Sequence, residues 1–513
     1  MSEEVLGLVI GQVAGAINEV ARFLNMPSSR SQVQYGAAAA VLVGVGVALA
    51  AGGIAIYWND GKPPWVRKKK HYPLKRQQWL ESFESREGRL VDPERVISIA
   101  RRGGIDITIR ADVWPFLLGL YELNSTEAER AAADFVHKEE FDELRRQCDV
   151  LREHVATELK RRSLEKDDSG SFEKVNEAEV LASMLEAKAA TDGTDSPPRT
   201  DTEKQDDTPT TPTPKSEMVV DDEPSKNPMV DSFLKRGPKA LEDFRDWRRI
   251  IRLDAVRMNA EWVPYSAVQA NVTEEEADRR ANEVGIQDHG HLEASRTHHA
   301  ARLVAILEAY ALYDPETGYC QGMSDLLSPF VALMESDAQA FWCYVQFMKR
   351  AKDNFRMDET GIRRQLQLVA KIFKVSDPQF YDHLLKIQAE DCFFVYRMIV
   401  VLLRRELTFE QTVCLWEVIW ADWAALRMKS SNAKSESMDG KRKLPASEDF
   451  LLFTIAAAVL QQRRFIIEKC RGVDEILREC NAMAGKLDIW ELMDFGRELL
   501  RDYQQKVGHE KTD

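Results

Sequence analysis

Two short runs place side chains suited to phosphate-type chemistry at fixed spacing. The first is IRLDAVR, Ile251 to Arg257, with the form IxxDxxR. The second is YCQG, Tyr319 to Gly322, inside YDPETGYCQGMSDLLSP. A guanidinium stays charged and offers a fork of donors that matches carboxylate and phosphate oxygens. A glutamine side chain both accepts and donates, so it can hold a water. Asp254 precedes Arg257 by three residues, a helical-neighbour spacing that allows an ion pair. Alone, each run says little: an Arg three after an Asp is ordinarily a surface pair worth a few tenths of a kcal/mol. Other candidates are weaker. His289, His291, His298 and His299 cluster near Asp288 and Glu293, but HxH and HH spacings are common in polar loops. His298 and His299 are read as opening the helix that carries Leu303. The chain shows no Gly-rich phosphate loop, so it is not expected to bind a nucleotide tightly by itself.

The elements that must position these residues read as helices. Leu303, Ile306, Leu307, Tyr310 and Tyr313 recur at helical spacing, as do Ile362, Leu366, Val369 and Phe373. Strand alternation is scarce, which predicts an all-α fold. One helical block spans 75–161 and a second, carrying both motifs, spans 228–507. Between them, 162–227 is rich in Asp, Glu, Lys, Ser, Thr and Pro, with TPTTPTP at Thr208 to Pro214. Such a segment buries too little apolar surface to offset chain entropy and is expected to be disordered. Its Ser-Pro and Thr-Pro steps read first as solvated filler and second as kinase sites. A disordered insertion can interrupt one fold, because closure entropy grows slowly with loop length. The polar stretch Lys429 to Lys443 reads as a surface loop.

Taken in this order in an all-helical chain, IxxDxxR and YxQ resemble the signatures of the TBC-domain Rab GTPase-activating proteins. RADVWPFLLG (Arg110 to Gly119) resembles that family's opening segment, and FFVYRMIVVLLRREL (Phe393 to Leu407) with LWE (Leu415 to Glu417) resembles its later core helices. The resemblance covers most of Lys75 to Gln504, and the insertion before IxxDxxR is similar to the plant and fungal branch. It implies a multi-helix TBC domain that accelerates GTP hydrolysis by a Rab-family small GTPase in vesicle trafficking. Arg257 would be the arginine finger and Gln321 the glutamine supplied in trans to orient water. Ile251, Asp254, Tyr319 and Gly322 would support them: Ile251 by burial, Asp254 by pairing with Arg257, Tyr319 by positioning the loop, Gly322 by close approach to the partner. The partner would be the GTP-bound GTPase, which carries GTP and Mg²⁺; no cofactor of the chain's own is implied, and no independent enzymatic activity. Met258 departs from the family, where a small hydroxyl residue is common. Trp114, Trp247, Trp262, Trp416 and Trp420 read as core anchors, with Trp262 and Tyr265 as second candidates for touching the GTPase. The competing reading is a membrane-anchored Rab-binding scaffold without GTPase-activating activity.

Composition bounds the rest. The net charge is −14, a poor fit to a nucleic-acid binder, which must neutralise phosphates. The seven cysteines form no CxxC pair, which suits a reducing compartment. From Val33 to Trp58 no residue is charged, and about 20 apolar residues suffice to span a bilayer. Tyr35, Tyr57 and Trp58 bracket this run, and Lys62, Arg67, Lys68, Lys69, Lys70, Lys75 and Arg76 follow it. The positive-inside rule then places the C-terminal side in the cytosol. We therefore expect one transmembrane helix over 33–58, after a tail, 1–32, with an amphipathic stretch from Val5 to Leu24. A cleaved leader and a buried Ala/Gly-rich helix are the lesser readings. An endomembrane is the first expectation for location and an organelle outer envelope the second.

Overall fold

Local signals set the helix starts. Asp92 accepts from the Arg95 amide at 2.9 Å ahead of Pro93, and Asp377 does the same for Phe380 at 2.9 Å ahead of Pro378. Thr126 and Glu129 form a reciprocal capping box, at 2.7 and 3.1 Å, that opens a helix running to Asp167. The computed structural model describes residues 71–167, 233, 235–286, 290–356, 358–431, 447 and 449–509. The expected membrane span at 33–58, the tail before it, most of 162–227 and most of the Lys429–Lys443 loop lie outside these residues.

Helices of two turns or more are α1 (Pro93–Gly103), α2 (Arg110–Leu118), α3 (Glu127–Asp167), α4 (Pro238–Val256), α5 (Glu274–Val284) and α6 (Ala294–Tyr313). They continue with α7 (Met323–Leu333), α8 (Asp337–Ala351), α9 (Thr360–Ser376), α10 (Pro378–Lys386), α11 (Phe409–Ser431), α12 (Phe450–Gln461), α13 (Val473–Ala482) and α14 (Ile489–His509). Among the described residues there is no strand, only two isolated β-bridges, Leu74 with Ile105 and Phe83 with Leu90. None of the described helices is by itself long and apolar enough to cross a membrane.

Helix α6 is buried on nearly every side, from Ser295 to Leu312, because α3, α4, α5, α7 and α8 surround it. Leu303, Ile306, Leu307 and Tyr310 are core residues, whereas Tyr313 at the helix end is 39% exposed. A second centre forms where α1 and α2 meet α11. The Trp114 ring lies edge-on to Trp420 at 5.0 Å and to Phe330 at 5.5 Å. Arg110 is sealed in with them. Its Nε donates to Glu417 at 2.8 Å, and its terminal nitrogens donate to Glu410 at 2.5 and 2.8 Å. Glu417 also accepts from Trp114 Nε1 and the Ile105 amide, at 3.0 and 2.9 Å. A buried carboxylate so placed has its oxygens satisfied. Thus RADVWPFLLG packs against a helix some three hundred positions later, and both blocks belong to one fold.

Candidate functional site

Helix α4 ends at Val256, and Arg257 caps it in right-handed conformation. Ile251, fully buried, and Ala255 pin the helix to the core, so the Arg257 side chain is carried outward, 56% exposed. Its guanidinium pairs with Asp254 one turn back. Asp254 is itself 3% exposed. Its other oxygen accepts from the Tyr319 hydroxyl at 2.6 Å, across 65 positions of sequence.

Burial pushes the Asp254 carboxyl above its usual range, opposed by the Tyr319 hydrogen bond and by Arg257. Burial, then the neighbouring Asp254 charge, raises the Tyr319 phenol well above its usual range. Tyr319 therefore keeps its proton and donates it to Asp254.

Tyr319 belongs to a tight loop between α6 and α7. Asp314 holds the start, accepting from Thr317 Oγ1 and from Lys352 Nζ, both at 3.0 Å. Gly318 turns the chain at φ +59°, and a Cβ there would collide with the Trp247 indole of α4. Cys320 Sγ contacts the Phe355 carbonyl at 3.6 Å. Gln321 follows, exposed, at the tip. Gly322 then starts α7 at φ +104°, and a Cβ there would sit 3.1 Å from Val401. The need for glycine at 322 thus has a reason inside the chain: a left-handed backbone against Val401.

Asp254 is the joint of this arrangement. It holds the Arg257 side chain directly and, through Tyr319, the loop whose next exposed residue is Gln321. Two further charges stand beside it. Asp325, early in α7, accepts from Arg405 at 2.8 Å, and both act electrostatically on Asp254. Only the fold reveals that they act on Asp254, since neither stands at a distinctive spacing from it.

After Arg257, Met258 is buried and its carbonyl accepts from Arg296 at 3.1 Å. Trp262 is 1% exposed and stacks on His299, with ring centroids 4.0 Å apart. Trp262 is therefore a core anchor and has no surface with which to touch a partner. Tyr265 stacks on Phe409 at 4.6 Å. The His299 ring nitrogens face Gln269 at 3.1 Å and Ser328 at 3.0 Å. Burial, with the Arg302 charge, depresses its pKa. Asp288 and His289 lie outside the described residues. No group of three or more potential metal ligands occurs among the described residues.

Comparison with known proteins gives the same architecture a family. Residues 286–431 match the Rab-GTPase-TBC domain. The chain is 43% identical over 462 residues to Rab GTPase-activating protein 22 of Arabidopsis thaliana, covering 87% of this chain and 83% of that one. It is 32% identical over 195 residues to GTPase-activating protein GYP7 of Yarrowia lipolytica, covering 38% of this chain and 24% of the relative. The GYP7 protein of Saccharomyces cerevisiae is 24% identical over 86% of this chain and 47% of its own length. With an identity of this level across most of both chains, the protein belongs to the family of TBC-domain Rab GTPase-activating proteins.

Proposed function

We propose that this protein accelerates GTP hydrolysis by a GTP-bound Rab-family GTPase, with Arg257 and Gln321 inserted in trans. The observation that supports the reading most directly is the double engagement of Asp254. One buried carboxylate sets the position of both an exposed guanidinium and an exposed glutamine-bearing loop. Preorganisation of this kind lowers the entropy lost when both side chains enter a partner.

Hydrolysis is in-line attack of water on the γ-phosphate, with negative charge spread over phosphoryl oxygens. Arg257 neutralises that charge through its fork of donors. Gln321 accepts from the attacking water and donates toward the phosphate or nearby backbone. The nucleotide and Mg²⁺ arrive with the partner. In arginine-finger systems the cation is worth about 10³–10⁵ in rate. The measurement is phosphate release from a panel of GTP-loaded Rab GTPases. Arg257→Lys keeps the charge but loses the fork, so we expect activity to collapse while the fold persists. A lysine variant as active as the parent removes the assignment. For Gln321, the parent should still act on a partner whose own switch glutamine is Ala or Leu. A partner that binds normally yet resists hydrolysis refutes that role.

We also infer a membrane anchor at 33–58 that keeps the GAP domain in the cytosol on an endomembrane, where it would meet Rab GTPases in vesicle trafficking. This rests on the uncharged run, its bracketing aromatics and the basic cluster after it. Protease should digest the domain on intact vesicles, and carbonate should not extract the protein. A carbonate-soluble protein refutes the anchor.

A further inference from the structure

Most large apolar side chains of the described residues are buried, yet several exposed ones stand around the candidate fingers. Phe393 is 56% exposed and Tyr396 37% exposed. Their rings stack on each other at 5.2 Å and 25°, so they form a preassembled platform rather than two loose side chains. The Tyr396 hydroxyl lies within electrostatic reach of Cys320, which precedes Gln321, and of Glu359. Farther along the same segment Val401 lies against Gly322, which follows Gln321. The platform is thus continuous with the glutamine loop. On the other side, Leu253 is 45% exposed. It stands one helical turn before Arg257 and so shares its face of α4.

The backbone that presents the platform is unusual. Cys392, just before Phe393, has φ +57°, and Leu402 and Leu403, just after the helical turn Tyr396–Val400, have φ +49° and +59°. Non-glycine residues in the left-handed region are strained and persist where the surroundings impose them. Here Trp416 Nε1 donates to the Leu402 carbonyl at 3.0 Å and the Leu403 amide donates to Met398 at 2.8 Å. Asp391 also accepts from the Phe393 amide at 3.0 Å. The fold spends local strain at both ends of this segment and leaves two stacked aromatics in water. The rim is polar and self-paired: Glu359 accepts from Arg363 at 2.9 Å, and Asp358 from Arg356 at 3.0 Å. Aromatic anchors inside a polar rim are the usual composition of an interface hot spot.

We propose that Phe393 and Tyr396, with Leu253 across the site, are the apolar anchors that seat the GTP-loaded GTPase so that Arg257 and Gln321 reach its nucleotide. The occupant is the same partner as in the functional reading above, on which this inference rests. Apolar side chains that flank Arg257 on one side and the Gln321 loop on the other are covered whenever both residues are inserted. The γ-phosphate orders the switch segments of such GTPases, so the anchors meet a formed surface only in the GTP state. They act on docking and not on the reacting atoms, which separates their signature from that of the fingers.

The test uses the full chain, held in detergent micelles and first without vesicles, and a soluble GTP-loaded Rab GTPase that the parent turns over. The Phe393→Ser/Tyr396→Ser double variant should raise KM about tenfold or more with kcat within about twofold. Phe393→Glu and Leu253→Ser should each move KM in the same direction. Phe465→Ser, at a 45% exposed residue on Arg463–Lys469, is the control and should leave both constants unchanged. Thermal melts of each variant establish folding, and Phe393→Glu carries the test if the double variant fails to fold. An active parent whose KM ignores these substitutions overturns this inference alone. A KM shift seen only when vesicles are present assigns the platform to a membrane and also overturns it. A parent inactive toward every GTPase overturns the functional reading and this inference together.

Discussion

Replacing Tyr319 with Phe removes one oxygen and leaves the buried ring in place. The lost contact is a 2.6 Å donation to Asp254, a carboxylate 3% exposed. Hydrogen bonds to charged groups contribute about 1.5–3 kcal/mol. Water has little access to the vacated oxygen, so the upper part of that range, about 2–3 kcal/mol, is expected. That corresponds to roughly a 30- to 150-fold shift in the unfolding equilibrium. Urea denaturation followed by circular dichroism reads this directly. A second effect concerns pH. Burial already raises the Asp254 carboxyl, and Tyr319 and Arg257 oppose that rise. Without Tyr319 the carboxyl moves further up, so it takes a proton at a higher pH as acid is added. The ion pair with Arg257 is then lost sooner, and the acid limb of kcat/KM for GTPase activation moves to higher pH. The double-mutant cycle with Asp254→Asn separates this from general loosening: Tyr319→Phe should cost much less stability in the Asn background. A stability change under about 0.5 kcal/mol, or equal costs in both backgrounds, would refute Asp254 as the joint between Arg257 and the glutamine loop.

Gly318→Ala should destabilise the fold by about 2 kcal/mol or more, because the residue is left-handed and faces Trp247. Gly472→Ala, at an extended position with open space, should stay within about 0.5 kcal/mol; equal effects at both sites would refute this account. Arg110→Ala strands the buried Glu417 and should cost about 3–5 kcal/mol in the same denaturation assay; a loss below about 1 kcal/mol would mean the pair is dispensable. The folded state refuses His299 a proton that the unfolded chain accepts near pH 6.5. Its contribution is therefore complete above about pH 6.5 and is lost as pH falls below it. His299→Gln should make the melting temperature fall less steeply between pH 7 and 5, and a slope matching the parent's would exclude the histidine.

Local patterns carried much of this molecule into view. Asp254 and Arg257 sit one helical turn apart, so their pairing follows from spacing alone. The α6 and α9 stripes follow from period. What stayed hidden depended on contacts between distant segments. The Tyr319 bond to Asp254 bridges two motifs that read as independent, and the crowding of Gly318 by Trp247 has no sequence marker. The stretch from Phe393 to Leu407 resembles the family's later core helices. Yet the left-handed residues Cys392, Leu402 and Leu403 break its helical period, leaving a short piece in which Phe393 and Tyr396 are exposed while Val395 and Ile399 stay inside. Sequence period cannot report a face where the period itself is interrupted. Trp262, read first as a core anchor, is one, although its stacking partner His299 belongs to another helix.

The Trp114 and Glu417 hydrogen bond joins residues 303 positions apart, and that distance has a temporal meaning. A ribosome adds about 5–20 residues per second. Helix α2 therefore waits roughly 15–60 s after its synthesis before its acceptor on α11 is even made. Throughout that interval Arg110 and Trp114 lack the carboxylate and the indole that will enclose them. Nascent chains of this protein should accordingly be bound by cellular holdases until α11 emerges. A stop codon anywhere before Glu417 would leave the opening segment permanently exposed, a substrate for degradation rather than a smaller working domain.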